Sequence, residues 1–377
     1  MSAGEVLDAL RGHSGEMVDM LATLVEEESP SSDAAAVRRC AAAVADACTR
    51  LLGVTPQLHD VAGSTHLLLR GGAEVRVLLL GHVDTVWPLG TLARWPFSVH
   101  AGRATGPGAF DMKAGVVQAL FAMAALDDLD GVALLLTGDE EVGSVTSREL
   151  VEECARAARA VLVLEPSQDG ALKIARKGVG QYRIEVRGRA AHAGLEPERG
   201  VNALVAMADV VGRVASLGSA TCGTTVTPTT ARAGTAANVV PAEAVIDVDV
   251  RTATAAEEAR VDRAMHTLLS DVEGASVHVT GGPNRPPLPA SSSAELHALA
   301  QRIAAELDLG ELHGVSVGGG SDGNFTAAVG TPTLDGLGAV GGGAHAEGEW
   351  VLLDAMPERA ALVAALVDAV RRGELSA

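Results

Sequence analysis

The sequence predicts an α/β protein whose main domain is a doubly wound, mostly parallel β-sheet. Three short aliphatic runs, 75–80, 132–136 and 160–164, carry this prediction. Such runs are typical of strands that are covered by helices on both faces. Helical spacing over 111–126 and 148–159 separates them. The order strand, helix, strand, helix, strand therefore indicates right-handed crossovers in one sheet.

Further helices are expected on both sides of this stretch. Helical spacing runs from 4 to 27, and the segment Ser29 to Asp33 supplies a stop and a new N-cap before an alanine-rich helix that ends near 52. The last helices of the domain are predicted near 293–307 and 356–371. These helices are expected to cover the sheet.

The hydrophobic pattern of the sequence changes after residue 165. Period-two alternation over 182–186, 244–250 and 276–279 predicts strands, with helical stretches near 201–215 and 255–273 between them. This pattern favours a smaller α+β domain with an antiparallel sheet and two helices.

The proline-rich segment 281–287 predicts a hinge that leads back to the first domain. We therefore expect a discontinuous catalytic domain of residues 1–178 and 287–377, with residues 179–286 inserted as the smaller domain.

Composition excludes several classes of function. The 377 residues carry a formal net charge of −19, whereas nucleic-acid binding normally needs a clustered basic face. The first 25 residues resemble neither a signal nor a transit peptide, and no stretch is apolar enough to span a membrane. The four cysteines form no CxxC pair, which favours reduced thiols. We expect a cytoplasmic protein that binds neither nucleic acid nor membrane.

Each of the three aliphatic runs ends at residues that can bind a metal. The first leads into His82 and Asp84, the second into Glu140 and Glu141, and the third into Glu165. Ligands bind at the carboxyl ends of strands in such sheets. His82 and Asp84 are two residues apart and face one side of the sheet, so the carboxylate can accept the second N–H of the imidazole.

Taken singly, each of these residues has an ordinary explanation. An isolated histidine two residues before an aspartate is more often a solvated turn, and an acidic pair is usually an exposed loop. Their joint placement at one sheet edge favours a metal site.

The chain also resembles a known family, the co-catalytic di-zinc aminoacylase and carboxypeptidase group. This group contains glutamate carboxypeptidase, acetylornithine deacetylase and succinyl-diaminopimelate desuccinylase. The similar motifs follow one another in a single order along the chain: 81–86, 106–113, 137–144, 165–166, 189–194, 238–241 and 318–322, with His345 downstream.

The resemblance implies a set of five metal ligands. Asp111 would bridge two ions, His82 and Glu165 would complete one coordination sphere, and Glu141 and His345 the other. Two Zn²⁺ ions are expected because imidazole and carboxylate ligands suit zinc, although Co²⁺ or Mn²⁺ could occupy the same ligands.

The resemblance also implies different tasks for two acids near the ligands. Asp84 would orient His82. Glu140 would bind no metal; it would accept a proton from the attacking water and deliver it to the leaving nitrogen.

In relatives, the histidine that matches His192 reaches the active site of the neighbouring subunit and helps to stabilise the oxyanion. This implies a homodimer and a lid and dimerisation role for residues 179–286. Without the resemblance, His192 is better explained as a surface or capping histidine.

The remaining substrate contacts that the resemblance implies are Asn238, Arg251, Arg285, Gly319, Gly320 and Ser321. A guanidinium suits a free carboxylate, and the glycine-rich loop could offer backbone N–H groups. The ordinary alternatives are a surface salt bridge for Arg251 and a loop position without a role for Arg285.

The branch of the family stays open between two substrate types. Glu165 is typical of carboxypeptidases and deacylases, and 85–92, 96–97 and 284–286 are most similar to glutamate carboxypeptidase, whereas Met112 is shared with deacetylases. The lead hypothesis is hydrolysis of a peptidyl- or N-acyl-amino acid, a small molecule, with release of a C-terminal amino acid, glutamate favoured. The second is an N-acetyl or N-succinyl amino acid deacylase, and a remote third is a silent binding protein on the same fold.

Overall fold

The computed structural model describes residues 2–375. Its helices are α1 (Ala3–Gly12), α2 (Ser14–Glu26), α3 (Ala34–Leu52), α4 (Ala114–Ala124), α5 (Arg148–Ala157), α6 (Ala203–Ala215), α7 (Ala255–His266), α8 (Ala294–Glu306), α9 (Gly323–Ala328) and α10 (Ala355–Arg371). Its strands are β1 (Gln57–Val61), β2 (Ser64–Arg70), β3 (Val75–His82), β4 (Ser98–His100), β5 (Arg103–Thr105), β6 (Gly131–Thr137), β7 (Ala160–Val163), β8 (Leu172–Arg176), β9 (Gly178–Arg187), β10 (Thr225–Ala233), β11 (Glu243–Thr252), β12 (Ser276–Arg285), β13 (Gly314–Val317), β14 (Thr333–Leu334), β15 (Gly341–Gly342) and β16 (Trp350–Leu352).

The chain forms two compact units. Among the described residues, the first contains 2–175, 289–317 and 321–375, and the second contains 176–288 and 318–320. The glycine-rich segment 318–320 thus packs with the second unit, although the chain on either side of it belongs to the first.

A six-stranded sheet with the order β1-β2-β6-β3-β7-β14 is the centre of the first unit. Strands β6, β3, β7 and β14 are parallel, whereas β2 is antiparallel to β6 and β1 is antiparallel to β2. The predicted α/β fold with a mostly parallel sheet is confirmed, and the three aliphatic runs are its neighbouring strands β6, β3 and β7.

Alternate side chains of β3 enter two different cores. Val77 and Leu79 pack with residues of α2, α3, α4 and α10, whereas Leu78 and Leu80 pack with residues of α5 and α9. All four side chains are buried because successive residues of a strand point to opposite faces. Helices on both faces explain why the run contains no polar residue after Arg76.

The second unit contains an antiparallel sheet with the order β10-β11-β9-β12. The buried side chains of its strands pack against α6 and α7. Alternation is visible in β11, where Ala244, Ile246, Val248 and Val250 are buried and the residues between them are half-buried. The period-two prediction is correct here.

Two local expectations were wrong. The first helix is interrupted at His13, where Gly12 ends α1 and the His13 N–H bonds to Leu10 instead of continuing the helix. Asp111 does not begin a helix: it has extended dihedrals within an irregular turn, and α4 begins at Ala114.

The hinge predicted over 281–287 stays a prediction; the chain returns to the first unit at Pro289, just after it. The segment 281–285 belongs to β12 and is paired with β9 up to Arg285, opposite Val179, with one irregularity after Pro283. Glycine and proline mark a bulged strand end here.

No helix within residues 2–375 is both long enough and apolar enough to cross a lipid bilayer.

Two helical glycines should respond in opposite ways to alanine. A Cβ at Gly115 in α4 would lie 2.2 Å from the Leu164 carbonyl oxygen, whereas a Cβ at Gly212 in α6 would meet nothing within 4 Å. We expect Gly212→Ala to raise the free energy of unfolding by about 1 kcal/mol, because alanine has the higher helix propensity. Gly115→Ala should lower the free energy of unfolding by roughly 1–3 kcal/mol, because the added Cβ overpacks the site. Calorimetric unfolding of the two variants measures this, and a stabilised Gly115→Ala would contradict the close packing of α4 on the strand end.

Candidate metal centre

His82 is the last residue of β3, and its buried imidazole lies among carboxylates. Its Nε2 is 3.3 Å from Asp111 Oδ1 and 3.5 Å from Glu165 Oε1. Its Nδ1 is 3.0 Å from the backbone carbonyl of Asp84. Because a carbonyl can only accept a hydrogen bond, this contact favours a hydrogen on Nδ1 and leaves Nε2 with a lone pair for a metal.

Asp111 lies between two histidines, with one oxygen toward each. Oδ1 faces His82, and Oδ2 is 3.4 Å from His345 Nε2. Oδ1 is buried and makes no hydrogen bond of ordinary geometry. A buried carboxylate oxygen without a hydrogen bond fits a position that a cation would occupy.

His345 lies beside Glu141 on the other side of Asp111. Its Nε2 is 3.1 Å from Glu141 Oε2, and its backbone has a left-handed φ of 62°. The structure therefore brings together all five residues that were expected to bind metal.

Two groups of three residues could each hold a metal ion, because within each group the potential ligand atoms lie within 4.8 Å of one another. The first group is His82, Asp111 and Glu141, and the second is His82, Glu140 and Glu165. Glu140, which was expected to bind no metal, is within reach of the site. Its assignment as a base therefore stays a prediction.

The charges in this cluster shift its titration. Burial lowers the pKa of His82, but the neighbouring carboxylates of Asp111, Asp84 and Glu165 outweigh burial and raise the pKa well above its ordinary value. Hydrogen bonds to Asp111 and Glu141 raise the pKa of His345 to about 10. Burial raises the pKa of Glu141. The carboxylates thus attract positive charge, and protons supply it when no cation does.

The Asp84 carboxylate holds the next turn of the chain, whereas His82 Nδ1 bonds to the backbone carbonyl of Asp84 and not to its carboxylate, the expected partner. The carboxylate accepts the backbone N–H groups of Glu140 at 3.2 Å and Glu141 at 3.1 Å, and the Ser31 hydroxyl at 2.6 Å. Its nearer oxygen is 3.5 Å from His82 Nδ1. Ser31 was not anticipated, because it comes from a loop remote in sequence.

A second unanticipated acid, Glu349, lies close to Asp111. It is fully buried and accepts the Phe110 N–H at 3.4 Å. Burial, followed by the charge of Asp111, raises the pKa of Glu349 to about 8. Nothing in the local sequence distinguishes it from a surface acid, since Glu347 nearby is exposed.

Of the expected substrate residues, Ser321 is the one that lies in the first unit. It is buried, and its N–H donates to Asn324 Oδ1 at 2.9 Å, so this N–H already has a partner.

The other expected substrate residues lie in the second unit. His192 pairs with Val239, which places it beside Asn238, and its Nδ1 accepts the N–H groups of Gly194 and Leu195. His192 and Asn238 are both exposed.

The two arginines of this unit differ in their surroundings. Arg251 forms a two-point ion pair with Asp249, both bonds at 2.8 Å, which was its ordinary alternative. Arg285 is buried, with Nη1 donating to Asn284 Oδ1. The carbonyl oxygens of Gly319 and Gly320 accept hydrogen bonds from the buried Arg176 guanidinium.

Solved structures share this fold. Aminopeptidase PepT from Bacillus cereus aligns over 95% of this chain and 99% of its own, with a TM-score of 0.78 and 24% identity. The metallo-carboxypeptidase Sso-CP2 from Sulfolobus solfataricus aligns over 94% and 99%, with a TM-score of 0.76 and 16% identity.

Sequence relatives are more specific. Carboxypeptidase G2 from Pseudomonas sp. (strain RS-16) is 33% identical over 79% of this chain and 75% of its own. Succinyl-diaminopimelate desuccinylase from Acidovorax ebreus is 33% identical over 68% and 71%. Both fall within the group that the motifs resemble, so that prediction is confirmed. Residues 78–369 match Peptidase family M20/M25/M40. The chain therefore belongs to this family and is a metal-dependent peptidase or amidohydrolase.

Proposed function

We propose that the protein is a co-catalytic di-zinc hydrolase that cleaves the amide bond of a peptidyl- or N-acyl-amino acid and releases the C-terminal amino acid, glutamate favoured. One observation carries the proposal: the Asp111 carboxylate lies between His82 and His345, one oxygen toward each. The similarity to carboxypeptidase G2 supports the carboxypeptidase direction of cleavage.

The donor set fits two divalent cations. His82 and Glu165 would hold one, His345 and Glu141 the other, and Asp111 both, which suits zinc and also cobalt or manganese. When bound, the pair of cations would polarise the scissile carbonyl and lower the pKa of the attacking water.

Glu140 is the proposed base and acid. Its carboxylate lies within reach of His82 and Glu165, while its N–H is fixed by Asp84. At that position it can take a proton from water and return it to the leaving nitrogen, so that the amine departs neutral.

The second unit would supply the substrate contacts. Arg285 is the better candidate for the substrate carboxylate, because Arg251 is engaged by Asp249. Because His192 Nδ1 accepts two backbone N–H groups, the ring hydrogen lies on Nε2, which can donate a hydrogen bond to an oxyanion. Its action across a homodimer, the lid and dimerisation role of residues 179–286, and a cytoplasmic location all belong to this proposal.

The alternative function is removal of an N-acetyl or N-succinyl group from an amino acid. The desuccinylase relative supports it, as does Met112, whose sulfur accepts the His82 N–H at 3.2 Å. Both reactions release an amino acid and use the same cluster; they differ in which side of the amide is large.

Glu140→Gln should separate proton transfer from metal binding. The amide keeps the size of the side chain but cannot accept a proton, so we expect turnover to fall by about 10²–10⁴-fold while both metal ions are retained. Turnover and metal analysis on the same sample measure this. Glu165→Gln is the comparison variant, because it should lose metal; loss of an ion in Glu140→Gln would reassign Glu140 as a ligand.

A substrate panel on metal-free and reloaded protein tests the function itself. We expect chelation to abolish hydrolysis and added Zn²⁺, Co²⁺ or Mn²⁺ to restore it. Benzoyl-glutamate and other aroyl-glutamates should be cleaved faster than acetylornithine or succinyl-diaminopimelate. The reverse order would select the deacylase alternative, and no hydrolysis of any member by reloaded protein would favour a silent binding protein.

A further inference from the structure

The turn that carries Glu140 and Glu141 is short and constrained. It begins at Thr137, the last residue of β6, and ends at Ser144, whose N–H donates to the Asp139 carbonyl at 2.8 Å. Ser144 has a left-handed φ of 56°, which a residue with a Cβ rarely adopts. Such a backbone persists only where its surroundings hold it.

Asp322 bonds to both ends of this turn. Its Oδ2 accepts the Thr137 hydroxyl at 2.9 Å, and its Oδ1 accepts the Ser144 hydroxyl. All three side chains are buried. Hydrogen bonds to an ionised carboxylate are stronger than neutral ones and gain further strength away from water. One carboxylate therefore fastens the first and last residues of the turn to each other.

Asp84 holds the same turn at its tip, through the N–H groups of Glu140 and Glu141. Asp322 thus holds the first and last residues of the turn and Asp84 holds its tip, so the backbone that carries the two glutamates is fixed at both places. Asp322 is not part of the ligand cluster itself, so any influence it has on the reaction passes through the turn.

We propose that Asp322 is a positioning residue, which by binding Thr137 and Ser144 together sets where the carboxylates of Glu140 and Glu141 stand relative to His82 and Asp111. The effect on turnover rests on the proposed function; the effect on metal binding does not.

Asp322→Asn is the variant that tests this. The amide has the same shape, but its NH2 group replaces one of the two oxygens and cannot accept a hydrogen bond, so one of the two hydroxyls loses its acceptor. We expect kcat to fall about 10- to 100-fold with KM within about twofold, because a displaced catalytic group slows the reaction without altering substrate contacts. A Co²⁺ titration monitored by visible absorption should show about 10- to 100-fold weaker binding of the ion that Glu141 would coordinate.

Ser144→Ala should act in the same direction with a smaller effect. Because both substitutions remove one shared bond, the double variant should lose less than the two single losses multiplied together. Ser293→Ala is the matched control for Ser144→Ala: Ser293 is also buried, and its hydroxyl donates to the Thr333 carbonyl at 2.7 Å. It should lower the unfolding temperature yet leave kcat and Co²⁺ binding within about twofold.

Each outcome decides the proposal. Wild-type kcat and wild-type Co²⁺ affinity in folded Asp322→Asn would overturn it, as would a loss of thermal stability with both of those unchanged. If Asp322→Asn does not fold, Ser144→Ala decides in the same way by Co²⁺ affinity. If the wild-type protein hydrolyses nothing, the proposed function fails, and the Co²⁺ titrations alone settle the role of Asp322.

Discussion

Five carboxylates and two imidazoles share one edge of a buried sheet, and their mutual charge is the constraint on which the rest of this structure depends. Two like charges 4 Å apart repel by about 4 kcal/mol at the effective dielectric constant of a protein surface. For a group such as Asp111, which lies among other acids, positive charge is needed to offset this repulsion. The carboxylates accordingly raise the pKa values of His82 and His345. Metal ions bound among the same residues would displace these protons.

Such a cluster also needs a rigid frame, because its members would otherwise move apart. The frame comes from strand ends: β3, β6 and β7 are adjacent and parallel, so His82 and the segments that carry the glutamates emerge side by side. Hydrogen-bonded aspartates complete it. Asp84 reaches from the end of β3 to the turn after β6, so the position of His82 is tied to that of Glu140 and Glu141.

The sequence predicted those parts of the fold and site whose signal is local. The buried run before His82 lacks polar residues because helices cover both faces, and its strand was foreseen, together with the placement of His82 at its end. The route of Gly318 to Gly320 into the second unit was not foreseen, because it depends on the buried Arg176 bonding to their carbonyls. Ser31 and Glu349 were missed for a similar reason: each reaches the site from a segment remote in sequence.

The adjacency of Glu140 and Glu141 has its own physical logic. Both N–H groups point to Asp84, so the backbone of the pair is fixed as one unit, and successive side chains of a tight turn must diverge. Glu141 accordingly reaches His345, while the Glu140 carboxylate groups with Glu165 and His82. One rigid turn can thus place one acid toward each half of the cluster. Two acids on separate flexible loops would have to be ordered independently, at a larger cost in conformational entropy.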